Sequence, residues 1–212
     1  MSEEFDSLRT ELAGVSDLPA SQRNIALAAV LTKAFQFVGY NPPTVVGGSA
    51  VEFWTRGGIG TKDLDMLLFT PHEKVDQVMC ELGFERRGKD WHHTLFDFLV
   101  EYPDNALEPG FTYDEIEALG TKVRIISREA IIVDRIDSHQ ATGYELDGLR
   151  ALLLFGAADC DLDWDRIEAA TRSSALPLAK VKAYESLALR VRNGELVHED
   201  EVKSALYDLS RG

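Results

Sequence analysis

The chain contains the stretch TVVGGSAVEFW at residues 44–54, and TKDLDMLLF follows at residues 61–69. Three β-branched residues, two glycines and an apolar segment predict a short buried strand, a tight turn and a helix that begins near Ser49. Within the second stretch, residues 63–69 have the length and composition of a strand, and the loop RGGIG at residues 56–60 separates the two stretches. The predicted order is therefore strand, glycine turn, helix, loop, strand.

Two aspartates lie two residues apart on the second predicted strand. Side chains at this spacing point to the same face, so Asp63 and Asp65 face one side of the sheet while Leu64 and Met66 face the core. Carboxylates held this close repel each other unless a cation lies between them, and Mg²⁺ prefers carboxylate oxygens together with substrate phosphates. Taken alone, the pair is also compatible with two solvated aspartates at a strand end.

The glycine turn supplies the second half of the pattern. Gly47 and Gly48 let backbone amides approach a phosphate closely, and Ser49 adds a hydroxyl near the start of a helix. A nucleoside triphosphate needs backbone donors at one end and a cation at the other. The joint pattern therefore predicts an NTP site with Mg²⁺ as cofactor, or Mn²⁺ in its place.

These motifs resemble those of a known family. GGSAVEF at residues 47–53 and TKDLD at residues 61–65 are similar to the Gly-Ser and Asp-x-Asp signature of the nucleotidyltransferase (polymerase-beta-like) superfamily. VEYP at residues 100–103 and the segment 127–136 resemble small members related to the AbiEii toxins and the minimal nucleotidyltransferases. The resemblance spans about residues 44–170. It implies a mixed sheet flanked by helices, two Mg²⁺ ions, and transfer of a nucleoside monophosphate with release of pyrophosphate.

The resemblance also implies a third carboxylate from a nearby strand. Asp97 and Glu101 are the candidates, and residues four apart on a strand share a face. The similarity of the VEYP segment to a pattern in the small members favours Glu101 as a catalytic group, and Asp97 stays open as the third metal ligand. A charge at a strand edge is the alternative for either side chain.

Basic side chains are candidates for contacting the nucleotide. Arg135 stands roughly where the AbiEii-type toxins carry a nucleotide-contacting lysine, although a salt bridge on the helix surface explains it equally well. The Lys-Asp pair that follows in those toxins is replaced here by YELD at residues 144–147. Lys62, together with Arg56, is a candidate phosphate contact from the loop, with a solvated charge as the alternative.

The remaining chain falls into two regions. Apolar residues at helical spacing predict an amphipathic helix between Pro19 and Gly39, and further strands are predicted at residues 84–87, 91–101, 116–119 and 122–126. From Ser127 onward the pattern is wholly helical. We therefore predict an α/β (α+β) domain at residues 1–126, with a mixed sheet flanked by helices, and a helical C-terminal region at residues 127–212.

Composition limits the classes of partner. The formal net charge of -14 disfavours unassisted association with a phosphate backbone. Cys80 and Cys160 are too few for a disulfide framework, and we predict two buried free thiols. The start of the chain lacks the basic and apolar regions of a signal peptide, and no apolar run approaches the roughly 18 residues of a membrane span. These features predict a cytoplasmic protein without a membrane partner.

Three functions are compatible with these patterns. The first is an enzyme that transfers a nucleoside monophosphate from an NTP to an unknown acceptor hydroxyl on a tRNA, a protein or a small molecule. The second is a catalytically degenerate module that binds a nucleotide or a partner protein without turnover. The third is an AbiEii-like toxin that modifies tRNA, against which the acidic balance argues.

Overall fold

The structure is a computed structural model that describes residues 2–104, 106–157, 162–174 and 176–211. It divides into two compact units, of which the first comprises Met1–Phe53, Gly60–Leu107 and Tyr113–Ile126. The second comprises Trp54–Ile59, Glu108–Thr112 and Ser127–Gly212. Two short segments that precede residue 127 in the chain thus belong with the C-terminal helices. Cys160, one of the two predicted buried thiols, lies outside the described residues.

The first unit contains a mixed sheet with helices. Its elements in chain order are α1 (Ser2–Ser16), α2 (Ala20–Phe37), β1 (Thr44–Val45), α3 (Gly47–Trp54), β2 (Asp63–Leu67), α4 (His72–Glu81), β3 (Glu85–Arg87), β4 (Asp90–His93), β5 (Phe98–Glu101), β6 (Tyr113–Ala118) and β7 (Thr121–Ile126). The strands that the structure describes form one seven-stranded sheet in the order β3-β4-β5-β2-β1-β7-β6. β2 runs parallel to β5 and β1 parallel to β7, and the other neighbouring pairs are antiparallel. The predicted mixed α/β class is confirmed.

β2 lies at the centre of the sheet and follows the predicted alternation. Leu64 and Met66 are fully buried, whereas Asp63 and Asp65 are partly exposed. β2 pairs with β5 in the register Asp63 with Leu99 and Asp65 with Glu101. A one-residue shift of this register would exchange the two faces of β2, so the buried apolar residues also fix the position of the carboxylates.

α2 is buried more completely than an amphipathic helix. All seven residues from Ala26 to Thr32 are buried, so the helix is covered on every side over nearly two turns. The additional cover comes in part from α1, which packs on α2. α1 directs four buried apolar residues at helical spacing into the core: Phe5, Leu8, Leu12 and Val15. The predicted helix between Pro19 and Gly39 is present as α2, but the expectation that it is amphipathic was wrong because α1 covers a further face of it.

The predicted strand at residues 91–101 was also wrong. The structure has two antiparallel strands there, β4 and β5, with His93 paired to Phe98. Residues 94–97 form the turn between them, and Asp97 has a left-handed backbone with φ of 53°. Aspartate tolerates this conformation better than most residues, which allows the chain to reverse. Asp97 and Glu101 therefore do not share one strand.

Cys80 corrects a further prediction, because its side chain is exposed. It lies near the end of α4, where Val75, Val78, Met79 and Leu82 fill the buried positions. The periodicity of these apolar residues leaves position 80 on the outer face of the helix.

The described helices of the second unit are α5 (Arg128–Thr142), α6 (Glu145–Gly156), α7 (Trp164–Ser174), α8 (Leu178–Arg192) and α9 (Glu199–Arg211). α5 begins where the sequence predicts, because the Ser127 hydroxyl accepts a hydrogen bond from the Ala130 amide at 3.2 Å. It ends at Gly143, whose φ of 70° is the left-handed conformation that glycine favours. The helical C-terminal region is confirmed. None of the described helices is long and apolar enough to cross a bilayer.

Two buried histidines should make the protein sensitive to acid. Burial lowers the pKa of both His93 and His139 below the ordinary value of 6.5. Below about pH 6.5 the unfolded chain therefore binds protons that the folded chain does not, so stability is full above this pH and falls as the pH drops. The loss is at most about 1.4 kcal/mol per pH unit for each histidine. Urea denaturation at pH 7.5 and 5.5 measures it.

Two variants test the assignment to His93. His93→Leu should reduce the difference between the two pH values, because the unfolded chain then gains one proton fewer. His198→Gln should leave the difference unchanged, since residue 198 is exposed. An identical pH dependence of His93→Leu and the wild type would show that His93 does not contribute.

Candidate metal and nucleotide site

Three carboxylates from two neighbouring strands meet in the first unit. Asp63 and Asp65 lie on β2, and Glu101 is the last residue of β5. The parallel register sets Asp65 beside Glu101. Ligand oxygens from the three side chains lie within 4.8 Å of one another, and all three residues are half-buried. We call Asp63, Asp65 and Glu101 the carboxylate cluster.

Each member of the carboxylate cluster accepts a hydrogen bond from a different segment. The Thr61 hydroxyl donates to Asp63 Oδ1, and the Gly48 amide donates to Asp65 Oδ2 at 3.1 Å. The Lys89 ammonium donates to Glu101 Oε2 at 2.9 Å. Donors behind a carboxylate fix its orientation, as they do around metal ligands in general.

The glycine turn is in direct contact with the cluster. Gly47 has a φ of +56°, and a Cβ at this position would lie 2.2 Å from Asp65 Oδ2. Only a glycine meets both conditions. The Ser49 hydroxyl, which is 1% exposed, donates to the Asp63 carbonyl at 2.8 Å. All three predicted residues of the turn therefore touch β2, and the hydroxyl proposed for a phosphate is bonded to the backbone in this structure.

A buried acid holds the loop that precedes β2. Glu52 on α3 is 6% exposed and accepts a hydrogen bond from the Asn24 side chain at 2.9 Å. The same Asn24 amide lies 3.5 Å from the Thr61 carbonyl. These contacts join α2, α3 and the loop, and they hold Thr61 where its hydroxyl reaches Asp63.

Lys89 is a member of the site that sequence reasoning missed. It stands in the two-residue turn between β3 and β4, after Gly88 with a φ of +69°. The antiparallel register pairs Asp90 with Glu101, which brings the neighbouring Lys89 to the end of β5. The hydrogen bond to Glu101 raises the pKa of Lys89. The turn is visible in the sequence as Gly-Lys-Asp, but the pairing of β4 with β5 is not.

Thr61 was missed as well. It lies two residues before Asp63, between the predicted loop at residues 56–60 and the predicted strand. The hydroxyl two residues before Asp63 is the local feature from which this contact could have been inferred.

The other predicted residues lie outside this arrangement. Asp97 is exposed in the turn before β5 and does not belong to the carboxylate cluster, which contains Glu101. Lys62 is exposed at the bend next to β2.

Arg135 lies on α5 of the second unit and forms salt bridges with two acids. One of its partners is Asp134, and its Nη1 atom lies 2.9 Å from Asp147 Oδ1. The arrangement is the salt bridge that the sequence offered as the alternative for Arg135. Contact of Arg135 with a nucleotide stays a prediction.

The donor set of the carboxylate cluster fits a hard divalent cation. Its three members offer only carboxylate oxygens, which suit Mg²⁺ and Mn²⁺, and no sulfur or imidazole is among them. Mg²⁺ binds through one or a few carboxylates and completes its shell with waters and substrate phosphates. Asp63, Asp65 and Glu101 are therefore the residues that would hold such a cation.

The chain was compared with protein-family models, curated proteins and solved structures. No family model matches the chain, and no curated protein matches it. Among solved structures, the chain is similar to the antibiotic-resistance factor ANT(2'')-Ia, with 18% sequence identity, coverage of 86% of this chain and 99% of that chain, and a TM-score of 0.44. A likeness at this level does not extend to activity.

Replacement of Gly47 should cost more stability than replacement of a glycine with the same backbone conformation and free space. Gly39 has a φ of +80° and nothing within 4 Å of an added Cβ, so Gly39→Ala should cost about 1 kcal/mol for the left-handed backbone alone. Gly47→Ala adds the overlap with Asp65 and should cost about 3 kcal/mol. Urea denaturation of both variants measures the difference. Equal losses would contradict the close approach of Gly47 to Asp65.

Proposed function

We propose that the protein is a metal-dependent nucleotidyltransferase that transfers a nucleoside monophosphate from an NTP to an acceptor hydroxyl. The observation that carries this proposal is the carboxylate cluster of Asp63, Asp65 and Glu101, with the Gly47 turn in contact with Asp65. Three converging carboxylates beside the start of a helix join the two groups that a metal-bound triphosphate needs, which are oxygen ligands for the cation and backbone donors for the phosphates.

In this proposal different groups of the site bind the cation and the phosphates. Asp63, Asp65 and Glu101 would hold the cation, and the amides in the first turn of α3 would donate to the phosphates. For the Gly48 amide this means giving up its present hydrogen bond to Asp65. When bound, Mg²⁺ or Mn²⁺ neutralises charge on the triphosphate and orients the reacting oxygens. Lys62 and Arg135 are further candidates for contact with the nucleotide.

The transfer exchanges one phosphorus–oxygen bond for another. The acceptor oxygen forms a bond to the α-phosphorus, the bond from that phosphorus to the bridging oxygen breaks, and pyrophosphate leaves. Glu101 accepts the proton of the acceptor hydroxyl. Its position at the last residue of β5, beside Asp65, supports this assignment.

A second candidate function is nucleotide or partner-protein binding without turnover. It is favoured by two hydrogen bonds: the Gly48 amide donates to Asp65 and the Ser49 hydroxyl donates to the Asp63 carbonyl. These are donors that the sequence assigns to a phosphate, and in the structure they bond to groups of the protein itself.

The acceptor of an active enzyme would be a tRNA, a protein or a small molecule. The net charge of -14 disfavours an AbiEii-like activity on tRNA.

Two matched carboxylate variants test the assignment of the third ligand. Glu101→Gln removes one charge from the cluster and should weaken Mn²⁺ binding at least about tenfold in isothermal titration, because a direct ligand is lost. Asp97→Asn removes one charge from the neighbouring turn, and asparagine tolerates the left-handed backbone. Asp97→Asn should leave Mn²⁺ binding unchanged. A loss in Asp97→Asn that equals the loss in Glu101→Gln would overturn the assignment.

A transfer assay separates the two candidate functions. The protein is incubated with each labelled NTP, Mg²⁺ and cell extract, and the product is treated with RNase or protease to reveal the acceptor class. We expect labelled product from the wild type and at least about a hundredfold less from Asp65→Ala, since loss of charge stabilisation at a reacting site costs 10²–10³ in rate. Metal-dependent NTP binding without any labelled product would favour the binding module.

A further inference from the structure

Lys89 is a cation that the structure pairs with a member of the carboxylate cluster. Its Nζ atom lies 2.9 Å from Glu101 Oε2. The lysine side chain is 73% exposed and the glutamate 21%. A hairpin with a two-residue turn, Gly88 and Lys89, carries this side chain, and the turn is anchored by the pairing of Arg87 with Asp90 and of Asp90 with Glu101. The backbone of Lys89 is therefore fixed by the hairpin, while its long side chain is exposed to solvent.

The charges of the carboxylate cluster favour a nearby cation. Three carboxylates with ligand oxygens within 4.8 Å repel one another when all are ionised. The Lys89 ammonium offsets part of this repulsion at Glu101. A divalent cation held by the same three side chains offsets it more strongly, and Glu101 then no longer needs the lysine.

We propose that Lys89 exchanges between two anions, Glu101 before the cation binds and the phosphates of the nucleotide afterwards. This inference rests on the proposed function. Lys89 thus competes with the cation for Glu101 and contributes to binding of the triphosphate once it has left that carboxylate. An ammonium on a flexible four-carbon chain suits such an exchange, because it binds phosphate as a point charge without a fixed geometry.

The exchange predicts opposite effects of one substitution on two ligands. Lys89→Met keeps most of the side-chain volume and removes the charge. Mn²⁺ binding without nucleotide should become about threefold tighter, because the ion pair of Lys89 with Glu101 no longer competes with the metal. This factor corresponds to the free energy of an exposed ion pair. Binding of a non-hydrolysable NTP analogue with saturating Mg²⁺ should become about tenfold weaker, because a charged contact to phosphate is lost. If Lys89 only supported the hairpin, its replacement would weaken the binding of both Mn²⁺ and the NTP analogue.

Lys122 provides a matched control in the same unit. Its Nζ atom lies 3.2 Å from Glu115 Oε2, and its side chain is 70% exposed. Lys122→Met therefore removes the same charge and a similar exposed pair from β7, away from the carboxylate cluster in the sheet order. It should change neither affinity, whereas Lys89→Arg, which keeps the charge, should restore the affinity for the NTP analogue.

The experiment uses the full chain, with Mn²⁺ binding followed by electron paramagnetic resonance and analogue binding by isothermal titration. The exchange is supported if Lys89→Met binds Mn²⁺ more tightly and the NTP analogue more weakly than the wild type, and Lys122→Met does neither. Unchanged or weaker Mn²⁺ binding in Lys89→Met, or an equal gain in Lys122→Met, overturns it. If the proposed function is wrong, the result is different. The wild type then either binds no Mn²⁺ or binds it as well as Asp63→Ala does.

Discussion

The backbone of Gly47 approaches the Asp65 carboxylate so closely that a Cβ there would lie 2.2 Å from Oδ2. The start of α3 and the middle of β2 are therefore held together as one piece. The Gly48 amide and the Ser49 hydroxyl add hydrogen bonds to the same strand. Because β2 also fixes Glu101 through its register with β5, this contact determines where the third carboxylate lies.

Charge is the second constraint on the site. Each carboxylate of the cluster accepts a hydrogen bond from a described donor, and these donors come from a loop, a helix start and a hairpin turn. The donors orient the three acids, but only Lys89 among them carries a compensating positive charge. A bound divalent cation would supply further positive charge, and this links the electrostatics of the site to the proposed cation and triphosphate.

The sequence predicted the elements that follow local rules. The glycines, the alternation in β2 and the Ser127 cap each depend on neighbours within a few residues, and each is present. Features that depend on strand pairing were not predictable in the same way. The turn at residues 94–97 hides in an aromatic and apolar stretch, so Asp97 was grouped with Glu101 on one strand. Lys89 reaches Glu101 only through the register of β4 with β5, which no local pattern encodes.

We propose that Asp63, Asp65 and Glu101 form one cation site beside the Gly47 turn. Crystals grown with Mn²⁺ and a non-hydrolysable NTP analogue, measured for anomalous scattering, test it most directly. We expect a manganese peak about 2.1 Å from oxygens of all three carboxylates, with the phosphates of the analogue completing the coordination shell of the ion. A nucleotide bound elsewhere, with no manganese peak between these three side chains, would contradict it.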